Sequence, residues 1–264
     1  IVCALGCAAL LVGVDDHSDH PPKVVDDLPH VGPDLDIDID AVAALEPDLV
    51  LATLTVPGHE KVVAGLEARG LPFIAPEPVS LEDVYRDILD IAARLVPADD
   101  GVMARAEALV AEMRAELDVA PGDEPDDDAP SILVQWWPKP VITPGVHSWV
   151  TDLIRAAGGR ATLGHEDHKS RPVPDGEVVD LAPDAVVLSW CGVDPARYRP
   201  DVVLRNEAWA DLPFVREERV FCEVHPFSLP AEEIRARKPA GLIFSGGPSS
   251  AYAETGPRPD PAVY

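Results

Sequence analysis

The chain reads as an α/β protein built from two lobes of similar construction, and three observations predict this. Short β-branched runs alternate with amphipathic stretches, the pattern of parallel α/β units. A helix-rich span separates two such sets. One segment is also echoed: Leu45-Glu-Pro-Asp-Leu-Val-Leu-Ala-Thr53 and Leu181-Ala-Pro-Asp-Ala-Val-Val-Leu-Ser189 share a helix end, Pro-Asp, a buried strand and a small polar residue. Proline cannot extend a helix, so the Pro-Asp turn stops each one.

Taken in order, Leu11 to Val14, Leu49 to Thr53 and Phe73 to Ala75 are predicted strands, with helices over Ile39 to Leu45 and His59 to Arg69. This first lobe spans residues 1–78. Helices fill 79–118: Ser80 is placed to cap the first with Asp83 at N3, and Val84, Ile88, Ile91, Ala92 and Leu95 recur at helical spacing. Pro97-Ala-Asp-Asp-Gly101 interrupts the span, which predicts a kink or two helices. Residues 119–130, with Pro-Gly and Asp-Asp-Asp, read as a solvated linker. The second lobe, 131–222, has strands at Ile132 to Trp136 and Ala185 to Trp190, and a helix from Ser148 to Ala157 ended by Gly158-Gly159. Residues 223–264 stand apart.

The 264 residues carry 21 basic and 47 acidic side chains, a net charge of −26 with a pI near 4.4. Nucleic acid and anionic membrane would repel such a chain, which argues against both as partners. Four cysteines exclude a disulfide scaffold, and no apolar run is long enough to span a bilayer. Asp outnumbers Glu, 29 to 18, and Arg outnumbers Lys, 16 to 5. The expectation is a surface adapted to high salt, where screening removes self-repulsion; an ordinary acidic protein is the alternative. The opening Ile1-Val-Cys-Ala-Leu-Gly-Cys-Ala-Ala-Leu10 has no basic n-region and reads as domain interior rather than signal peptide. Cys3 and Cys7 there read as small buried apolar residues.

In open α/β sheets ligands sit beyond the carboxyl ends of strands, which singles out the residues after Thr53, Trp136 and Ser189. His17 and His20, with Asp15, Asp16 and Asp19, have metal-binding chemistry. They lack the frame of a zinc site, so a loop lining a pocket is the reading preferred and no metal is assigned. Gln135-Trp-Trp-Pro-Lys-Pro140 places two indoles on opposite faces of an extended chain, so alternation lets at most one be core. With Trp149 and Trp190 at neighbouring strand or loop ends, an aromatic wall for a large planar ligand is expected. Trp209, in the polar Asn206-Glu-Ala-Trp-Ala-Asp211, is expected to contribute little to binding. No P-loop, G-x-S-x-G or G-x-G-x-x-G is present, and Cys191 and Cys222 have no base beside them.

Val2-Cys-Ala-Leu-Gly6, Leu11-Val-Gly-Val14, Ser18-Asp-His-Pro-Pro22, Val31-Gly32, Leu45 to Leu51, Trp137-Pro138 and Ser148-Trp149 to Gly158-Gly159 together resemble the cobalamin-type substrate-binding proteins of ABC importers. Close relatives in that group bind ferric siderophores and haem. The resemblance covers about residues 1–222. It implies a class III periplasmic-binding-protein fold, two α/β lobes joined by a long helix, with a corrinoid in the cleft between them. The implied protein is a non-enzymatic, extracytoplasmic monomer whose partner is a transporter permease. Its membrane contact comes only through that permease or an anchor, and cobalamin is cargo rather than cofactor. Mapped by motif and by strand end, the ligand contacts in the first lobe are His17, Asp19, His20, Pro21, Leu54 and Thr55. Those in the second are Trp136, Trp137, Trp149, Ser189 and Trp190. His20 stands where the family's Ser-Asp-Tyr-Pro loop has Tyr, and Glu60 matches the glutamate that docks on transporter arginines.

The tail is similar to something else. Residues 220–250, ending Phe244-Ser-Gly-Gly-Pro-Ser-Ser250, resemble the start of the GMP synthase glutamine amidotransferase domain. The Ser245-Gly-Gly-Pro248 turn matches a loop beside that enzyme's oxyanion hole, while the nucleophilic Cys and the later His-x-Glu are not in the chain. An inactive β-α-β fragment of foreign origin is expected, with an artefactual junction preferred to a natural fusion. Residues 223–264 carry a net charge of −1 and the preceding 222 carry −25.

Overall fold

The computed structural model describes residues 1–18, 20–117, 125–126, 128–190, 199–217 and 220–221. The chain divides into two compact units: Ile1–Pro78 with Glu82–Glu112, and Val79–Leu81 with everything from Met113 onward.

The first unit holds α1 (Pro22–Val25), α2 (Ile39–Ala44), β1 (Val50–Leu51), α3 (His59–Arg69), β2 (Phe73–Ile74) and most of α4 (Leu81–Leu95) and α5 (Val102–Leu117). β1 and β2 pair in parallel, and the ladder runs on past them, with Ala52 N–H donating to Ile74 O and Leu54 N–H to Pro76 O. Asp38 caps α2 by accepting from Ala41 N–H. Helices α2 and α3 approach closely at Gly65, where a Cβ would press 2.9 Å from Ile39 Cγ1.

The strand expected at Leu11 to Val14 is not formed. Ala8–Leu10 is a 3-10 turn, and pairing begins only at Val14, whose carbonyl accepts from Val31 N–H while Asp16 N–H donates to Gly32 O. The single long connecting helix implied by the family resemblance is also replaced, by α4 and α5. Pro97 lacks the N–H to continue the first helix, and Asp99 gathers the break by accepting from Gly101 N–H at 2.9 Å and from Arg105. Leu81, Tyr85, Ile88, Ile91 and Ala92 form the buried stripe of α4, so the stripe centres one residue from Val84, which is half-buried. Leu81 N–H donates to Asp152 Oδ2 at 2.9 Å.

The second unit is built on a four-stranded parallel sheet in the order β6 (Arg160–Ala161), β3 (Ser131–Gln135), β8 (Ala185–Leu188), β9 (Val220–Phe221). A three-stranded antiparallel sheet, β4 (Trp137–Pro138), β5 (Val141–Pro144) and β7 (Ser170–Val173), follows from β3. Leu133, Val186, Leu188 and Trp190 face one core with Val141, Val173, Trp209 and Phe214. Its helices are α6 (Trp149–Ala156), α7 (Asp175–Leu181), α8 (Asp201–Leu204) and α9 (Pro213–Arg216).

The echoed segments end their helices by the same device. Glu46 after α2 and Ala182 after α7 both take a left-handed conformation, φ 49° and 43°, immediately before Pro-Asp. A residue before proline is disfavoured in the right-handed helical region, so the turn is made one residue ahead of the proline. In the second copy Asp184 also secures the sheet: its Oδ2 accepts from Ser131 N–H and its own N–H donates to Ser131 O, both at 2.8 Å. The acidic linker lies largely outside the described residues, as does the expected amidotransferase-like tail.

Candidate functional site

In the first unit the loop after Val14 is set by Asp15, whose carboxylate accepts from His17 N–H and from Ser18 Oγ–H, each at 2.8 Å. The His17 ring then lies 3.4 Å from Asp34 Oδ1, while His59 Nε2 reaches 3.6 Å from the other oxygen of the same carboxylate. His59 is buried, and its Nδ1 accepts from Val56 N–H at 3.2 Å. A ring nitrogen that accepts must be unprotonated, so in neutral His59 the proton sits on Nε2. That tautomer directs a donor, not a lone pair, towards Asp34. Among the described residues no group of three metal-binding side chains converges to hold an ion. His20 is exposed and precedes a cis bond to Pro21, the N-cap of α1. Asp19 lies outside the described residues.

Beyond β1, Thr53 Oγ–H donates to Thr55 Oγ1 at 3.1 Å, leaving Thr55 exposed and Leu54 half-buried. Glu60, in the first turn of α3, is exposed and accepts from Gly58 N–H at 2.8 Å. Gly58 there has φ 112°, a backbone that favours glycine.

In the second unit the four candidate tryptophans separate into two kinds. Trp137 and Trp149 are 44% and 38% exposed, large apolar rings facing solvent, and Trp136 is half-buried with its backbone N–H on Ile142 O. Trp190 belongs to the core instead. It is 8% exposed, and its indole N–H donates to Gln135 Oε1 at 2.8 Å. Its expected place on an open wall is therefore corrected: β8 carries the even-numbered side chains Val186 and Leu188 into the core, and Trp190 continues that face. Trp209 is likewise a core residue, 2% exposed, edge-on to Phe214 at 6.1 Å with its N–H on Asp175 O. Ser189 is exposed, and its backbone N–H donates to Gln135 O.

Charged residues that sequence reasoning missed brace this unit. Arg171 on β7 donates Nε and one Nη to the two oxygens of Glu166, both at 2.7 Å, and its guanidinium also holds both oxygens of Glu177 in α7. His168 Nε2 shares Glu166 Oε2 at 2.8 Å. The fork from Arg171 pulls the Glu166 carboxyl down to about 2 and lowers Glu177 as well, while Arg171 itself is raised by the two carboxylates. The signal available in sequence was only opposite charges five and six residues apart, Glu166 to Arg171 to Glu177, in a stretch with no regular periodicity.

The family of the periplasmic binding proteins is matched across residues 1–222. The chain belongs to that family. Solved structures with the same fold include an ABC transporter substrate-binding protein from Listeria monocytogenes, at 20% identity and a TM-score of 0.67, with 83% of each chain covered. A periplasmic heme-binding protein from Pseudomonas aeruginosa is similar at 26% identity and TM-score 0.65, over 83% of this chain and 78% of that one. The vitamin B12 binding protein of Vibrio cholerae shares 19% identity at TM-score 0.62, over 83% and 81%. This periplasmic binding protein thus shares its fold with a substrate-binding protein of an ABC transporter and with heme-binding and vitamin B12 binding proteins. Its described residues include no helix long and apolar enough to cross a membrane.

A second likeness is short. The GMP synthase of Heliobacterium modesticaldum is 50% identical over 50 residues, and that of Mycobacterium bovis 57% over 49, each 19% of this chain. The chain spans about a tenth of the length of these curated relatives.

Proposed function

We propose that this protein captures a corrinoid, cobalamin or a close analogue, for an ABC importer. The observation that carries the reading is the pair of indoles, Trp137 and Trp149, held in solvent on the second unit. A planar macrocycle with apolar faces is the kind of solute that would cover them. Ser189 and the half-buried Trp136 are further candidate contacts on the second unit, and His17, Asp19, His20, Pro21, Leu54 and Thr55 are candidates on the first. Haem is the second reading, favoured by the 26% identity to a heme-binding protein. Glu60, exposed on α3, would meet a basic side chain of the permease. The protein works as a monomer with no bound cofactor of its own. The 50-residue likeness to GMP synthases supports reading the tail as a fragment of the amidotransferase kind.

Titration with cyanocobalamin and, separately, with hemin tests this, following tryptophan quenching and thermal shift. Saturable quenching by one of them, with a raised Tm, is the expected result. Trp137→Ala should weaken that binding about tenfold to a hundredfold, the loss expected of one stacked ring worth roughly 1–3 kcal/mol. No quenching and no shift with either ligand would reject the reading. Ammonia release from glutamine would replace it with an amidotransferase role.

A further inference from the structure

The geometry points to Arg171 as the residue that positions Trp149 for the solute, an inference that rests on the ligand reading above. Trp149 opens α6 directly after the turn 145–148, where Ser148 caps the helix by accepting from Val150 N–H at 3.3 Å. The turn is also held by the neighbouring segment 166–169. Gly145 N–H donates to Lys169 O at 2.9 Å, Val146 N–H to Glu166 O at 3.0 Å and His147 N–H to His168 O at 3.1 Å. Behind Trp149, the buried Thr151 hydroxyl donates back to Gly145 O at 2.7 Å, closing the turn onto the helix. Glu166 supplies one of those three backbone acceptors, its carboxylate also holds His168, which supplies another, and Arg171 fastens that carboxylate with two parallel bonds. His168, on the same carboxylate, lies so close over Gly145 that a Cβ there would collide with its ring.

The arrangement leaves Val146 and Trp149 exposed, 39% and 38%, yet mounted on a fixed backbone. A rigid aromatic ring loses little conformational freedom when a ligand covers it, so fixing the mount increases affinity without adding a contact. Arg171 also separates two functions by its two partners. Glu166 belongs to the platform, whereas Glu177 belongs to the first turn of α7.

That separation supplies the test. In the full chain, Arg171→Met is expected to weaken the solute that the wild type binds, cyanocobalamin or hemin, about tenfold. Combined with Trp149→Ala it should add less than about twofold, because the two residues act through one contact. Arg171→Lys should recover only part of the loss, since an ammonium cannot form the paired bonds. Glu166→Gln, which keeps the side chain's shape, should weaken binding, and Glu177→Gln should not. The free protein gives a second reading: the Trp149 contribution to fluorescence anisotropy decay, taken as wild type minus Trp149→Ala, should depolarise faster in Arg171→Met and Glu166→Gln but not in Glu177→Gln. Equal losses from Glu166→Gln and Glu177→Gln, or full additivity with Trp149→Ala, would reduce Arg171 to a stabilising residue and overturn the inference. If the wild type binds neither solute, the ligand reading falls, and the anisotropy arm alone decides whether Arg171 holds Trp149.

Discussion

Trp209 and Phe214 meet edge to face in the centre of the second unit, and the indole N–H is spent on the carbonyl of Asp175. Truncating such a ring leaves a cavity, so Trp209→Ala should cost about 3–5 kcal/mol, with Trp209→Phe losing clearly less. Urea unfolding of the two variants measures this; similar curves for Trp209→Ala and wild type would mean the cavity collapses. The polar residues on either side of Trp209 concealed its burial, because a short 3-10 turn, Glu207–Trp209, turns one residue inward regardless of its neighbours. Alternation left open which of Trp136 and Trp137 faces out; the break after the buried Gln135, where Trp137 begins a new strand, is what exposes Trp137. Trp190 was not, because β8 faces two covered sides and its apolar run carries no alternating signal. Gln135 is fully buried and its Oε1 holds the Trp190 indole.

At the level of elements, the two Pro-Asp turns share a strained residue. Left-handed backbone at a residue with a Cβ costs roughly 1–2 kcal/mol, and both Glu46 and Ala182 are exposed. Glu46→Gly and Ala182→Gly should therefore each raise the Tm, an outcome differential scanning calorimetry would show; a fall would mean that the entropy of the added glycine in the unfolded chain dominates. A second expectation concerns Arg171 and acid. Glu166 titrates near 2 in the folded protein against an ordinary value of 4.5, so the unfolded chain takes up its proton first as the pH falls. The stabilisation is complete above about pH 4.5 and disappears as pH drops towards 2. Unfolding free energy measured from pH 6 to pH 2.5 should decline over that window, and decline less steeply in Arg171→Met. Helices α2, α3 and α6 were legible to within one residue at each end, and in the folded protein Asp38 and Ser148 cap α2 and α6 while Gly70 ends α3. The antiparallel sheet was not. Trp137-Pro138 and Ser170-Arg-Pro-Val173 have neither alternation nor β-branched runs, and only their pairing with β5 makes them strands.

For the molecule as a whole, a charge of −26 on 264 residues dominates the solution behaviour. Ion pairs such as Arg69 with Asp40 and Arg205 with Asp201 engage single carboxylates on an otherwise acidic surface, so self-repulsion should be large at low ionic strength. Raising KCl from low to molar concentration is expected to increase the Tm substantially as the Debye length falls from about 30 Å at 0.01 M to about 3 Å at 1 M. A flat response would remove the case for a salt-adapted surface. The family was legible from scattered short motifs across the first 222 residues, because a two-unit α/β frame fixes where its turns and strand ends must come. The solute was not, since relatives with the same frame bind heme and vitamin B12.

The strand order of the parallel sheet also dictates a sequence of events during synthesis. β3 is the first of the four to leave the ribosome, yet it is destined for the interior, between β6 and β8. Ile132 must wait for Ala185, and Val186 must then wait for Val220. Until β6 and then β8 emerge, Ser131-Ile-Leu-Val-Gln135 is a nascent apolar segment with first both edges and then one edge bare, the kind of stretch that chaperones hold. A chain released before residue 220 would keep the outer edge of β8 open, and its fate would be set by whatever strand it meets next.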